Sequence, residues 1–166
     1  MFQVFGTASF HSIWYWVLTI TVWSLVCHRT LGVPHDMVLR ARRAPDAAER
    51  VDLLARIAAD RLGAIYDSAG TPIAAAGGFL LAALAALGFL SGIEIAQAVF
   101  LLLFPLAVVA YSTLRLALAV RRRGIRGADL RRSLRLRRLW HQVIAVLATL
   151  TAAVVGATHL SVTFVP

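Results

Sequence analysis

Histidine is the residue of this sequence that could best hold a haem iron or another metal ion. His28 and His141 fall at the same end of two apolar segments, and His11 and His159 fall at their other end. Two imidazoles from facing helices can ligate a haem iron axially. However, the chain lacks the repeated histidine spacing of a multi-haem bundle. We therefore favour histidines that bond to backbone or water at a membrane surface, with haem binding as the alternative.

Other side chains that carry chemistry are few. Glu94 lies within about one turn of the expected edge of an apolar segment, where it can reach water, so it predicts no catalytic role. The lone Cys27 excludes an internal disulfide and a cysteine-cluster metal site. The sequence has no glycine-rich phosphate loop, no paired carboxylates and no nucleophile elbow. It therefore predicts no enzyme, no cofactor and no metal site.

The elements that carry these residues are predicted to be membrane helices. Hydrophobic residues make up 60% of the 166 residues, and the mean hydropathy is +0.77. Apolar runs of about 18 residues or more indicate membrane spans. We expect an all-α polytopic membrane protein in one domain, with four transmembrane helices over about 12–32, 72–90, 93–120 and 139–162.

The segment between the first two spans predicts an amphipathic helix over about 46–66. Asp46 and Glu49 indicate its start, directly after a proline. Apolar residues then recur at spacings of three and four: Val51, Leu54, Ala58, Leu62 and Ile65. The segment carries too many charges to span a membrane. We expect it to lie along the cytoplasmic surface or to pack on a partner.

Arginine-rich segments fix the expected orientation. The basic loop 121–138 contains nine arginines and one acid, and apolar runs flank it. Such loops stay on the cytoplasmic side of a membrane. In the four-span arrangement all 17 basic side chains fall on that side. The sequence therefore predicts both termini in the periplasm. The flanking spans make nucleic-acid binding the weaker interpretation of the same charge.

Two predictions concern surfaces. Small residues every four positions let membrane helices approach closely, and we expect the face on the second span to pack on that of the fourth. These residues are Ala74, Gly78 and Ala82, and Ala148, Ala152 and Gly156. Leucines and arginines alternate before the fourth span, so the leucines are expected in the acyl boundary and the arginines on anionic head groups. The predicted lipid-binding residues are Arg131, Arg132, Arg135 and Arg138.

Two stretches, 23–43 and 91–109, resemble a family of small membrane proteins of alphaproteobacteria. That family is often labelled a component of the SufBCD complex, which assembles iron–sulfur clusters. The resemblance implies a bacterial inner-membrane protein and carries over no site residues.

The predicted function is a non-catalytic accessory, assembly or docking subunit of a larger inner-membrane complex. Its partners would be anionic lipids and other membrane subunits. The first alternative is a haem-binding electron carrier that uses the paired histidines. The second is a membrane-associated factor of iron–sulfur cluster assembly. An enzyme or transporter would depend on Glu94 and Pro105 alone.

Overall fold

The structure is a computed structural model that describes residue 10 and residues 12–163, apart from the side chains of residues 29 and 159–163. It is almost entirely helical, which confirms the all-α class. Its elements in chain order are α1 Ile13–His28, β1 Arg29–Thr30, β2 Val33–Pro34, α2 His35–Arg40, α3 Pro45–Ala85, a π-helical turn Ala86–Leu90, α4 Glu94–Arg123 and α5 Gly127–Thr163.

Three of these helices are long and apolar enough to cross a membrane: α3 with its π-helical turn, α4 and α5. The chain is therefore a membrane protein. α1 is apolar but has 16 residues, which rise about 24 Å at ~1.5 Å per residue. It ends at His28 rather than near residue 32, because the chain turns back there through the β1–β2 hairpin.

The hairpin turn is formed by Leu31 and Gly32, whose φ angles are 53° and 71°. Positive φ at both central residues matches the twist of a two-residue hairpin. The unfavourable φ of Leu31 is offset by burial, since its side chain is only 2% exposed. The sequence pattern did not indicate this hairpin, because neither of its strands exceeds two residues.

α3 is one continuous helix, whereas the sequence predicted an amphipathic helix over 46–66 and a separate span over 72–90. Pro72 lies inside it. A proline in a helix removes one backbone hydrogen bond without forcing the helix to end. The charged half and the apolar half of α3 are therefore parts of one helix.

The predicted basic loop 121–138 is also mostly helical. α4 continues to Arg123, and α5 begins at Gly127. Gly124 ends α4 with a φ of 62° and donates its N–H to the carbonyl of Val120 at 3.0 Å. The N–H of Gly127 donates to both carboxylate oxygens of Asp52, at 2.9 and 3.1 Å. Since the first N–H groups of a helix lack internal partners and attract negative charge, Asp52 fixes where α5 begins.

The larger hydrophobic core lies at the end of the molecule that carries the arginines, which we call the basic end; the opposite end is the Glu94 end. This core joins the hairpin, α2, the first half of α3, the last turns of α4 and the first turns of α5. Its most deeply buried members include Val33, Val51, Ala55, Ala59, Ala117 and Leu130. The charged half of α3 therefore packs on its own chain.

α3 buries a face that overlaps the predicted one in part. Val51 is buried as predicted, and Ala58 and Leu62 pack partly buried against the core, whereas Leu54 and Ile65 are exposed. The other buried residues of this half are Ala55, Ala59 and Gly63. Small side chains at this spacing allow α4 to approach closely. A Cβ built on Gly63 would lie 2.8 Å from Cδ of Arg121. Arg121 in turn forms an ion pair with Asp67, with Nη2 and Oδ2 2.7 Å apart.

Gly63 and Gly78 both lie within α3 but have different neighbours, so substitutions at the two positions test the contact between α3 and α4. We expect Gly63→Leu to lower the free energy of unfolding by about 1–3 kcal/mol, since the side chain would displace Arg121. Gly78→Leu is the matched control: a Cβ there meets no atom within 4 Å. Thermal unfolding in detergent should show a lower Tm for Gly63→Leu alone. Equal melting of both variants and the parent would contradict the close α3–α4 contact.

Candidate functional site

A groove between α4 and α5 at the basic end is lined by four arginines and no acid. Its volume is about 570 Å³. We call it the arginine groove. It is lined by Val108, Tyr111, Ser112, Arg115, Leu118, Ala119, Arg122, Arg123 and Arg137. The α4 members recur at spacings of three and four from Val108 to Arg122, so that they form one face of the helix.

Arg137 connects the two walls of the groove. Its Nη1 donates to the carbonyl oxygen of Ser112 and, at 2.6 Å, to the Oγ of Ser112. Burial and, to a lesser extent, the positive charge of Arg115 lower the pKa of the Arg137 guanidinium. Among the residues that the structure describes, no carboxylate pairs with any of the four groove arginines. The groove is therefore a site of uncompensated positive charge.

Two exposed aromatic side chains lie between the groove arginines and the apolar parts of α4 and α5. Tyr111 is 62% exposed and lies one turn from Arg115, towards the middle of α4. Trp140 is 59% exposed and follows Arg137 by about one turn of α5. Tyrosine and tryptophan concentrate at the level of lipid head groups. We therefore expect the arginines on their basic side to lie near the level of lipid phosphates.

The predicted lipid-binding arginines lie elsewhere on α5. Arg132 is exposed and Arg131 half-buried, whereas Arg135 and Arg138 face the hairpin across a small cavity. The expectation that the alternating leucines rest in the acyl boundary fails for Leu130 and Leu134, which are 0% and 2% exposed in the protein core. Leu136 and Leu139 are exposed, as expected.

The two small-residue faces do not meet in the structure. Ala74, Gly78 and Ala82 are exposed on α3. Ala148, by contrast, borders a cleft between α4 and α5, and Ala152 is 2% exposed. A Cβ on Gly156 would lie 3.1 Å from Cβ of Phe10. The face on α5 therefore packs on α4 and on Phe10, while the face on α3 has no partner among the described residues.

The histidines of the basic end line two different cavities. His28 and His35 border a cavity of about 10 Å³ together with Arg138. Burial and the charge of Arg138 lower the pKa of His35, so its imidazole is neutral at pH 7. His141 borders a separate cleft. The structure does not bring His28 and His141 to one cavity, as an axial pair requires; His11 and the side chain of His159 lie outside the described residues.

His141 is more buried than a histidine at a membrane surface should be. It is 1% exposed, and neither ring nitrogen has a hydrogen-bond partner in the described part of the chain. The adjoining cleft has a volume of about 450 Å³ and is lined mainly by apolar residues of α1, α3 and α4. The sequence missed this because Leu130, Leu134 and His141 share one α5 face only when the basic loop is helical.

Glu94 has a structural partner. It is 8% exposed, and its Oε1 accepts the N–H of Phe10 at 2.9 Å. Nε1 of Trp16 donates to the carbonyl of Phe10 at 2.9 Å. The carboxylate in the first turn of α4 therefore anchors Phe10 to the Glu94 end, rather than reaching water as predicted.

No protein family, curated protein or solved structure matches this chain. The groups that sequence reasoning missed are Ser112, Arg122, Arg123 and Arg137, which converge only in three dimensions. The helical spacing of Tyr111, Arg115 and Arg122 was the available signal for the α4 wall. Nothing in the sequence indicated that Arg137 would face Ser112.

The burial of His141 leads to a stability prediction. A buried polar group without a hydrogen bond costs about 1–3 kcal/mol in mutational data. His141→Leu removes that group at similar volume and should raise the free energy of unfolding by about 1–2 kcal/mol. His28→Leu is the control, because His28 is exposed. Thermal unfolding in detergent measures both. Destabilisation by His141→Leu, together with loss of a Soret band of the parent, would instead indicate a haem ligand.

Proposed function

We propose that this chain is a non-catalytic accessory subunit of a larger bacterial inner-membrane complex, and that the apolar half of α3 docks against a helix of another subunit. The observation that supports this most directly is the exposure of the apolar half of α3. Only 6% of the most apolar window of α3 is buried, compared with 22% for α4 and 17% for α5. The helix with the highest hydropathy is therefore the least covered.

The chemistry of this exposed surface suits a helix rather than lipid alone. Ala74, Gly78 and Ala82 lie four residues apart, and the space beside Gly78 is open. In a membrane, helices associate through close van der Waals packing, for which small side chains are enriched. This surface continues directly from the folded basic end, since both belong to one helix.

We also propose that α1 crosses the membrane as the fourth span. Phe10, just before α1, touches Gly156 of α5, and His28 at its end shares a cavity with Arg138. α1 therefore runs beside α5 from Arg138 to Gly156, which is the apolar part of that helix. With four spans, the positive-inside tendency orients the basic end to the cytoplasm and both termini to the periplasm.

Reporter fusions on either side of α5 test the crossing and the orientation of that helix. A reporter that is active only in the periplasm should be active after Pro166 and inactive at Gly127. A reporter that is active only in the cytoplasm should give the reverse pattern. Activity of both fusion sites on one side of the membrane would contradict the crossing of α5. A periplasmic Gly127 would contradict the orientation.

The docking surface is tested with a matched pair of glycines. Gly77 and Gly78 are adjacent, and both have open space around them. They point about 100° apart on the helix. We expect Gly78→Leu to remove at least about nine-tenths of the co-purifying membrane subunit in mild detergent, because it blocks close packing. Gly77→Leu should retain it, and both variants should melt like the parent.

Quantitative mass spectrometry of the purified chain gives the readout. Equal recovery of the partner with both variants would contradict docking through the Gly78 face. Recovery of a second copy of this chain in place of another protein would contradict the accessory role and indicate a homo-oligomer. The role in iron–sulfur cluster assembly implied by the family resemblance stays a prediction, since no comparison bears on it.

A further inference from the structure

The arginine groove has the composition of a site for a phosphate-bearing ligand. It is lined by four arginines and no acid, and the ion pair that the described residues form, Arg121 with Asp67, lies outside it. Four guanidinium groups around a single groove repel one another unless an anion lies between them. Guanidinium groups also match the oxygens of a phosphate in pairs of parallel hydrogen bonds.

Arg137 is held in place before any ligand arrives. Its Nη1 is bonded to Ser112 on the facing helix. A guanidinium has five N–H donors, so this bond leaves other donors of Arg137 for an anion in the groove. Because the side chain is already fixed, binding loses less side-chain entropy than at a mobile arginine. Ser112 is thus a positioning residue for this site.

The groove is apolar at one end and basic towards the other, just as a phospholipid has apolar acyl chains and a charged head group. Val108 lies at one end and Tyr111 follows. Arg115, Arg122 and Arg123 lie towards the other end, with Leu118 and Ala119 between them. Val108 lies on the apolar part of α4, and the arginines lie beyond Tyr111, towards the basic end. A free phosphate ion would use the arginines alone. A phospholipid would use the whole groove, with an acyl chain along Val108.

The groove arginines lie at two levels along α4, which selects among anionic lipids. Arg137 is bonded to Ser112, and Arg115 follows Ser112 by about one turn of α4. Arg122 and Arg123 lie further along α4, and Arg122 is about 10 Å beyond Arg115 at ~1.5 Å per residue. Two sites of positive charge at this separation suit two phosphates that are joined through a glycerol bridge. A lipid with one phosphate would leave one pair of arginines without a counter-charge.

We propose that the arginine groove binds the head group of an anionic phospholipid with two phosphates, of the diphosphatidylglycerol class, in the leaflet at the basic end. Arg115 and Arg137 hold one phosphate, and Arg122 and Arg123 hold the other. This site goes beyond the docking function and does not depend on it, because the groove lies on α4 and α5 while the docking surface lies on α3.

The test compares two pairs of arginines with the same loss of charge. The full chain is purified in detergent and mixed with equimolar diphosphatidylglycerol and phosphatidylglycerol. Native mass spectrometry then counts the bound lipids. The parent should bind one diphosphatidylglycerol in preference to phosphatidylglycerol. The double variant Arg122→Gln/Arg123→Gln should weaken this binding about thirtyfold, since each arginine near an anionic surface contributes about a factor of five.

The control is Arg56→Gln/Arg61→Gln, which removes the same charge from exposed positions on α3, outside the groove, and should change binding less than about threefold. Equal losses in the two double variants would overturn the groove and favour general attraction to charge. Arg115→Gln, at an exposed position, provides a second variant should the groove double variant fold poorly. Retention of lipid by Arg115→Gln at the parent's level would also overturn the proposal.

Two competition arms separate the sources of the phosphate. Millimolar inorganic phosphate should leave the lipid bound. Displacement of the lipid by inorganic phosphate would overturn the lipid assignment and indicate a site for a free anion. A glutamate-rich peptide should likewise fail to compete, and its binding in the groove would overturn the proposal in favour of an acidic protein partner. Equal binding of the two lipids would refute the two-phosphate specificity.

Discussion

The approach of α3 to α4 along small side chains is the contact on which the basic end depends. Ala55, Ala59 and Gly63 present almost no side chain, so α4 can come close enough for Arg121 to reach Asp67. The same register holds Asp52 beside the start of α5, where its carboxylate accepts the N–H of Gly127. The positions of α4 and α5, and hence both walls of the arginine groove, follow from one face of α3.

Charge explains why the larger hydrophobic core lies at the basic end rather than among the apolar halves of the helices. All 17 arginines belong to the hairpin, α2, the first half of α3, the last turns of α4, the first turns of α5 or the links between these elements, where water and head groups can solvate their charges. Hydrophobic burial drives packing only where the alternative is water, and lipid is as apolar as leucine. The basic end therefore forms a compact core like that of a soluble domain. The apolar halves of α3, α4 and α5 remain largely uncovered by the chain itself.

The difference between burial from water and packing in lipid also determines which features the sequence could predict. Apolar runs and segregated arginines predicted a helical membrane protein because both patterns reflect transfer between water and lipid. The continuity of α3 through Pro72 could not be predicted from the sequence. The proline removes one backbone hydrogen bond, and the packing energy that offsets this loss depends on the folded structure. The same applies to α5: Leu130 and Leu134 are buried because the hairpin and α3 cover them. Local spacing alone assigned those leucines to lipid.

The membrane half is held at its two ends rather than along its length. At the basic end Arg137 joins α5 to α4 through Ser112, and at the Glu94 end Phe10 joins α1 to Glu94 and Gly156. Between them, an apolar cleft of about 450 Å³ separates parts of α4 and α5. Acyl chains can fill such a cleft with little loss, whereas water cannot. A lipid held by its phosphates at the arginine groove would place its acyl chains beside this cleft. It would thereby complete the contact between α4 and α5 that the chain leaves open.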